Sequence, residues 1–196
     1  GYLVHEYRAI EELYRMDDHI QFATEQIIEV MGARGTPWGN FNEGLMITKQ
    51  GEEHTRLRGN VASAFTPRNI NRFRELMRST VSSLLDEWAP KEAFDFAEFA
   101  ANFPIRVMCA IIGASADVVP GIRRYLEIQG LSFSMDPAIL PAADDAISNL
   151  FQFVDGLVKT RQKQGAVENE DLLDALLGAN TQGLISDYEL RNLLVF

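Results

Sequence analysis

One stretch limits this chain more than any other: Glu53-His54-Thr55-Arg56-Leu57-Arg58, running through Gly59-Asn60-Val61-Ala62-Ser63-Ala64-Phe65 to Thr66-Pro67-Arg68. Wound as an α-helix at about 3.6 residues per turn, it gathers Ala64, Leu57, Val61, His54, Phe65 and Arg58 within an arc of roughly 120°. Thr55, Arg56, Gly59, Asn60 and Ser63 fall mostly on the other side. The stripe that should face the core therefore carries a histidine and an arginine one turn apart, and two basic groups pointing inward need an anion. In one reading a carboxylate of the chain, Glu52 or Glu53 among others, supplies it and His54 is a satisfied, partly buried histidine. In the other the anion is a bound ligand with two acidic groups about one helical turn apart, since guanidinium and imidazole are natural carboxylate donors.

The rest of the chain reads as helices. Tyr2-Leu3-Val4 predicts a short strand, and Ile10, Leu13 and Tyr14 predict a helix from Arg8 to Met16, ended by Asp17-Asp18. Thr24 can cap a second short helix carrying Ile27, Ile28 and Met31. Gly32, Gly35, Gly39 and Gly44, with Pro37, Trp38 and Phe41, then predict a flexible loop studded with apolar side chains, either anchored to the core or lying over a ligand. Thr66 and Pro67 open a long amphipathic helix through Phe73, Met77, Leu84 and Trp88. Phe99 to Ile112 is apolar almost all round, a core helix stopped by Gly113, and Cys109 within it reads as a small buried hydrophobe. Ser115 caps a helix reaching about Gly130, and Met135-Asp136-Pro137 marks a loop. From Pro141 a helix of about 24 residues runs to Gly165. A short helix over Asp171–Leu177 follows, and Ser186-Asp187-Tyr188-Glu189 is a capping box opening a last one, with Leu190, Leu193 and Leu194 on its apolar stripe.

Composition narrows the function classes. The 196 residues suit a single domain, and 28 acidic against 18 basic residues give a net charge of −10, which argues against nucleic acid as a partner. No apolar run approaches the roughly twenty residues needed to span a bilayer, and no signal-peptide pattern opens the chain, so a cytoplasmic location and no membrane partner are expected. The single Cys109 excludes an internal disulfide and fits a reducing compartment. His5 and His19 are isolated, so no metal site is expected from the chain's own ligands. No phosphate loop, nucleophile elbow or other set of catalytic residues stands out.

Glu-Glu-His-Thr-Arg-Leu-Arg followed by Ala-Phe-Thr-Pro-Arg resembles the HTRLR and AFTPR motifs of the soluble bacterial-type cytochrome P450 enzymes, in the right order and separation. In that family the His and the Arg four residues later bind the two haem propionates, which falls on His54 and Arg58. One departure is that the family usually has Pro two residues before the His, where this chain has Glu52. The implied fold is mainly α: the N-terminal helical portion of a cytochrome P450-like fold, with a short N-terminal β-strand, over residues 1–196 as one partial domain cut at the start of the long central helix.

The resemblance also implies a function, a haem-thiolate monooxygenase inserting one oxygen atom of O₂ into a hydrophobic small molecule. It implies haem b in the complete enzyme and a ferredoxin-like electron donor, for which Arg68, Arg72, Arg74 and Arg78 offer either a docking patch or a merely solvated face. It places the substrate pocket at the Gly32–Ile47 and Phe133–Leu140 loops, with Trp38, Phe41, Leu45, Met46, Ile47 and Phe133 as its lining. The family's cysteine loop, Glu-x-x-Arg pair and oxygen-activating acid/alcohol pair have no counterpart here, so the chain by itself is expected to be inactive and to hold no haem. The apolar start of the last helix, with the faces around Leu150 and Ile111, is expected to meet water and drive self-association. The alternative is a haem-free helical module, derived from such an enzyme, that binds a ligand or a protein.

Overall fold

The computed structural model describes residues 3–16, 22–62, 65, 67–165 and 171–196, with residues 67–70 and 72 described by backbone alone. The helices in chain order are α1 (Tyr7–Tyr14), α2 (Thr24–Met31), α3 (Pro37–Glu43), α4 (Gly51–Ala62), α5 (Pro67–Trp88), α6 (Phe96–Ile111), α7 (Val119–Leu131), α8 (Leu140–Gln164), α9 (Leu172–Thr181) and α10 (Asp187–Val195). No strand occurs among the described residues. The strand expected at the N-terminus is absent over Leu3 and Val4; Leu3 is 90% exposed and has no neighbouring strand to pair with. Tyr2, Asp17, Asp18, His19, Ser63, Ala64 and Thr66, all invoked in the sequence reading, lie outside the described residues.

Helix α8 organises the packing. It contacts α3, α7 and α10, and its inward residues Ala143, Ala146, Ile147, Leu150 and Val154 are buried. Contrary to the expected flexible loop, Gly32 to Ile47 is largely ordered into α3 and a 3₁₀ turn at Met46–Thr48. The reason is local: Thr36 accepts the Gly39 N–H at 3.2 Å and Pro37 starts the helix with its φ already set. Trp38 then donates its indole N–H to Ser132 Oγ at 2.9 Å, its backbone N–H meets Asp144 Oδ1 at 2.8 Å, and Phe41 sits edge-on to Phe151. Gly44 is needed where α3 ends, because a Cβ there would collide with the side chains of Asn192 and Tyr188.

Asp95 caps α6 by accepting from the Ala97 and Glu98 amides, and Gly113, at φ +72°, turns the chain out of it. A Cβ on Gly113 would enter the guanidinium of Arg161 and the carboxylate of Asp171. Arg161, 7% exposed, bonds Asp171 at 2.9 and 2.7 Å and Asp174 at 2.8 Å, tying the end of α8 to the start of α9. The Asp171 bonds hold the guanidinium charged against the cost of burial, and Asp174 adds to them. Asp171 and Ser186 form the capping boxes that open α9 and α10.

One expectation about α10 is corrected. Leu190, Leu194 and Val195 are buried, Leu193 is half-buried, and Leu150 and Ile111 are buried as well; α10 closes onto α8 and α9. Phe196 remains 59% exposed. The apolar surface on which self-association was to rest is thus largely covered by the chain's own helices. No described helix is long and apolar enough to cross a membrane.

Candidate functional site

Helix α4 starts at Gly51, whose φ of +57° lets the chain turn in from the preceding extended residues, and it buries one side chain, Leu57. His54 and Val61 are half-buried, while Arg58 and Phe65 are exposed. The stripe expected to face the core thus turns inward only along one edge, and the guanidinium stays at the surface. The energetics are plain: burying a guanidinium with no carboxylate waiting for it costs several kcal/mol, on the order of 5.

Neither nearby glutamate neutralises the pair. Glu53 meets Lys49 Nζ at 3.1 Å, and among the described residues neither His54 nor Arg58 makes an ion pair or a side-chain hydrogen bond. Their positions, four residues apart on a continuous helix, set both donors on one face about one turn apart. What this face can do is donate: an imidazole and a guanidinium fit two carboxylates spaced like the acidic arms of one ligand.

Arg56, on the opposite face, carries no assigned task in the sequence, yet it is the best-connected arginine of the helix. Its guanidinium donates to the Leu184 carbonyl at 2.6 Å and to both oxygens of Glu189. Burial alone would raise the Glu189 carboxyl, but the donors of Arg56 and Ser186 outweigh it and hold the group below its usual range. No local pattern could have revealed this bond, because its partners stand far apart in the chain; the one hint is that a capping-box glutamate keeps an oxygen free for a second donor.

The six residues expected to line a substrate pocket separate into two groups. Trp38, Phe41 and Leu45 are buried core residues, whereas Ile47 and Phe133 are 54% and 58% exposed and Met46 is half-buried. None of them lines the apolar cleft of about 210 Å³ formed by Pro104, Met108, Leu126, Phe153 and Phe196. Cys109 is a buried thiol within α6, and burial pushes its pKa up. Among the described residues no cluster of His, Cys, Asp and Glu could hold a metal ion.

Comparison with known proteins gives these features a context. No model of a known protein family matches the chain. It is 30% identical over 196 residues to luteothin monooxygenase of Streptomyces thioluteus, covering 98% of this chain and 47% of that protein. It is 34% identical over 150 residues to 2-hydroxy-5-methyl-1-naphthoate 7-hydroxylase of Streptomyces carzinostaticus, covering 74% and 35% respectively. The chain therefore spans half or less of the length of these curated relatives. The fold is that of the epothilone B-bound cytochrome P450epoK, with a TM-score of 0.80 at 22% identity over 97% of this chain and 49% of that one. The crystal structure of CalO2 superposes at 0.69, covering 96% and 54%. In sequence and in fold, the chain resembles the N-terminal half of a bacterial-type cytochrome P450 monooxygenase.

Proposed function

We propose that the chain is the haem-cradling N-terminal portion of a monooxygenase that inserts one oxygen atom of O₂ into a hydrophobic small molecule. His54 and Arg58 are the donors to the two haem propionates. The observation that carries this is the open basic face of α4: a His and an Arg one turn apart, with no carboxylate among the described residues to satisfy them. The donor set fits the group, because each propionate is a carboxylate and both side chains donate to carboxylates. Haem, when bound, supplies the iron at which O₂ is activated.

The chain's own residues bind and orient. Arg58 supplies a fixed positive charge and a planar fork, and His54 a second donor whose half-burial limits competition from water. Phe133 and Ile47, exposed on segments flanking α3 and α8, contribute apolar surface toward a hydrophobic substrate. Electrons come from a ferredoxin-like partner and the enzyme works in the cytoplasm, both in keeping with the bacterial relatives.

A second reading, a haem-free helical module that binds a ligand or a protein, draws on Cys109, which is locked inside α6 and offers iron no thiolate. The spectrum of the reduced, carbon-monoxide-treated protein separates the two. Protein made from its complete reading frame is expected to show the Soret band of a thiolate-ligated haem, and residues 1–196 alone to lack it. A complete protein without that band supports the haem-free module.

A further inference from the structure

Helix α4 presents the basic face but is thinly anchored, since Leu57 is its one buried residue. A twelve-residue helix anchored by the buried Leu57 and the half-buried Val61 alone among its apolar side chains can still roll about its axis, and a roll of a few tens of degrees carries the His54 and Arg58 donors off a common target. On the side away from those donors, Arg56 reaches across to the turn before α10 and to α10 itself. It meets the Leu184 carbonyl at 2.6 Å and, through two nitrogens, both oxygens of Glu189. Glu189 is itself fixed, because its Oε2 accepts the Ser186 N–H at 2.7 Å and the Ser186 hydroxyl at 3.0 Å in the capping box. Its side chain is 17% exposed. A planar fork on a planar carboxylate, with a third bond to a backbone carbonyl, fixes direction as well as distance.

We infer that Arg56 is a positioning residue. By bonding Glu189 and the Leu184 carbonyl it sets the rotation of α4, and so aims His54 and Arg58 together at one dicarboxylate ligand. This rests on the reading of His54 and Arg58 as propionate donors. It assigns to Arg56 no contact with the ligand; its effect reaches the ligand through the orientation of the helix.

The test uses protein made from its complete reading frame, loaded either with haem or with haem dimethyl ester, whose propionates are blocked. The readout is the rate at which excess apomyoglobin withdraws each group. R56A and E189Q are expected to release haem roughly threefold to tenfold faster, about what one charge-assisted hydrogen bond is worth or less. Release of the dimethyl ester should be unchanged, and R56K, which keeps the charge but not the fork, should fall between. E189Q breaks the same link from α10, so a folding defect peculiar to R56A would not mask the result. Equal acceleration for haem and its ester would mark Arg56 as merely structural, and no acceleration of either would overturn the inference directly. If H54A/R58A also fails to speed haem release, the propionate reading itself falls, and the inference with it.

Discussion

Helices α8 and α4 each carry an arginine, Arg161 and Arg58, and the chain treats the two in opposite ways. Arg161 in α8 is buried, and Asp171 and Asp174 neutralise it through bonds of 2.7–2.9 Å. Arg58 in α4 stays at the surface, with no carboxylate among the described residues engaging it. The two helices are also packed differently: α8 buries five apolar residues along its length, α4 only Leu57. A guanidinium whose charge the chain itself satisfies holds helices together, whereas one left open on a lightly packed helix is available to a ligand.

That contrast can be broken most severely at Arg161. R161A leaves two carboxylates facing each other in a buried place, and urea unfolding should show a loss of about 3–5 kcal/mol. A loss under about 1 kcal/mol would mean that the aspartates relax into water and that the network is a surface feature. Next in size is L57A, expected to cost about 2–3 kcal/mol, at the lower end for a buried leucine because a helix at the edge of the core can shift into the space. If L57A proved neutral, α4 would owe its place to Val61 and to polar bonds.

Acid should act through Glu189. Its carboxyl is held below the usual range in the fold, so the native state takes up its proton less readily than the unfolded chain. The stability it supplies is then complete above the ordinary carboxylate value of about 4.3 and is lost as pH falls through the lower folded value. E189Q should flatten that acid limb of the stability curve and leave the limb above neutrality unchanged. A limb that E189Q leaves as steep as before would assign the acid sensitivity to other carboxylates. The smallest effect on folding is expected for H54A/R58A, within about 0.5 kcal/mol, as for surface changes that break no internal contact.

Much of this architecture was legible in the sequence because it is written locally. The stop at Gly113, the short helix from Asp171, the capping box at Ser186 and the long helix to Gly165 all follow from residues within a few positions of one another. The stretch from Gly32 to Ile47 misled because its glycines suggested a loop and masked the local start at Thr36 and Pro37, while what fixes the helix in place is distant: Ser132 and Asp144 bond Trp38, and Phe151 packs on Phe41. The His54/Arg58 pair was visible from helical spacing, but its exposure depended on where Leu57 found its pocket. The Arg56–Glu189 bond was invisible for the same reason, since nothing near either residue names the other. The N-terminal strand failed because β structure needs a partner, and Leu3 and Val4 have none among the described residues.

The central claim, that the open face of α4 is a ligand site and no part of the fold's support, is tested most directly by measuring haem release and unfolding on the same H54A/R58A protein, made from its complete reading frame. Two charge-assisted bonds worth about tenfold each predict release on the order of a hundredfold faster, with the unfolding of the haem-free protein unchanged. Release at the unaltered rate, or acceleration that appears only alongside a matching loss of stability, would contradict it.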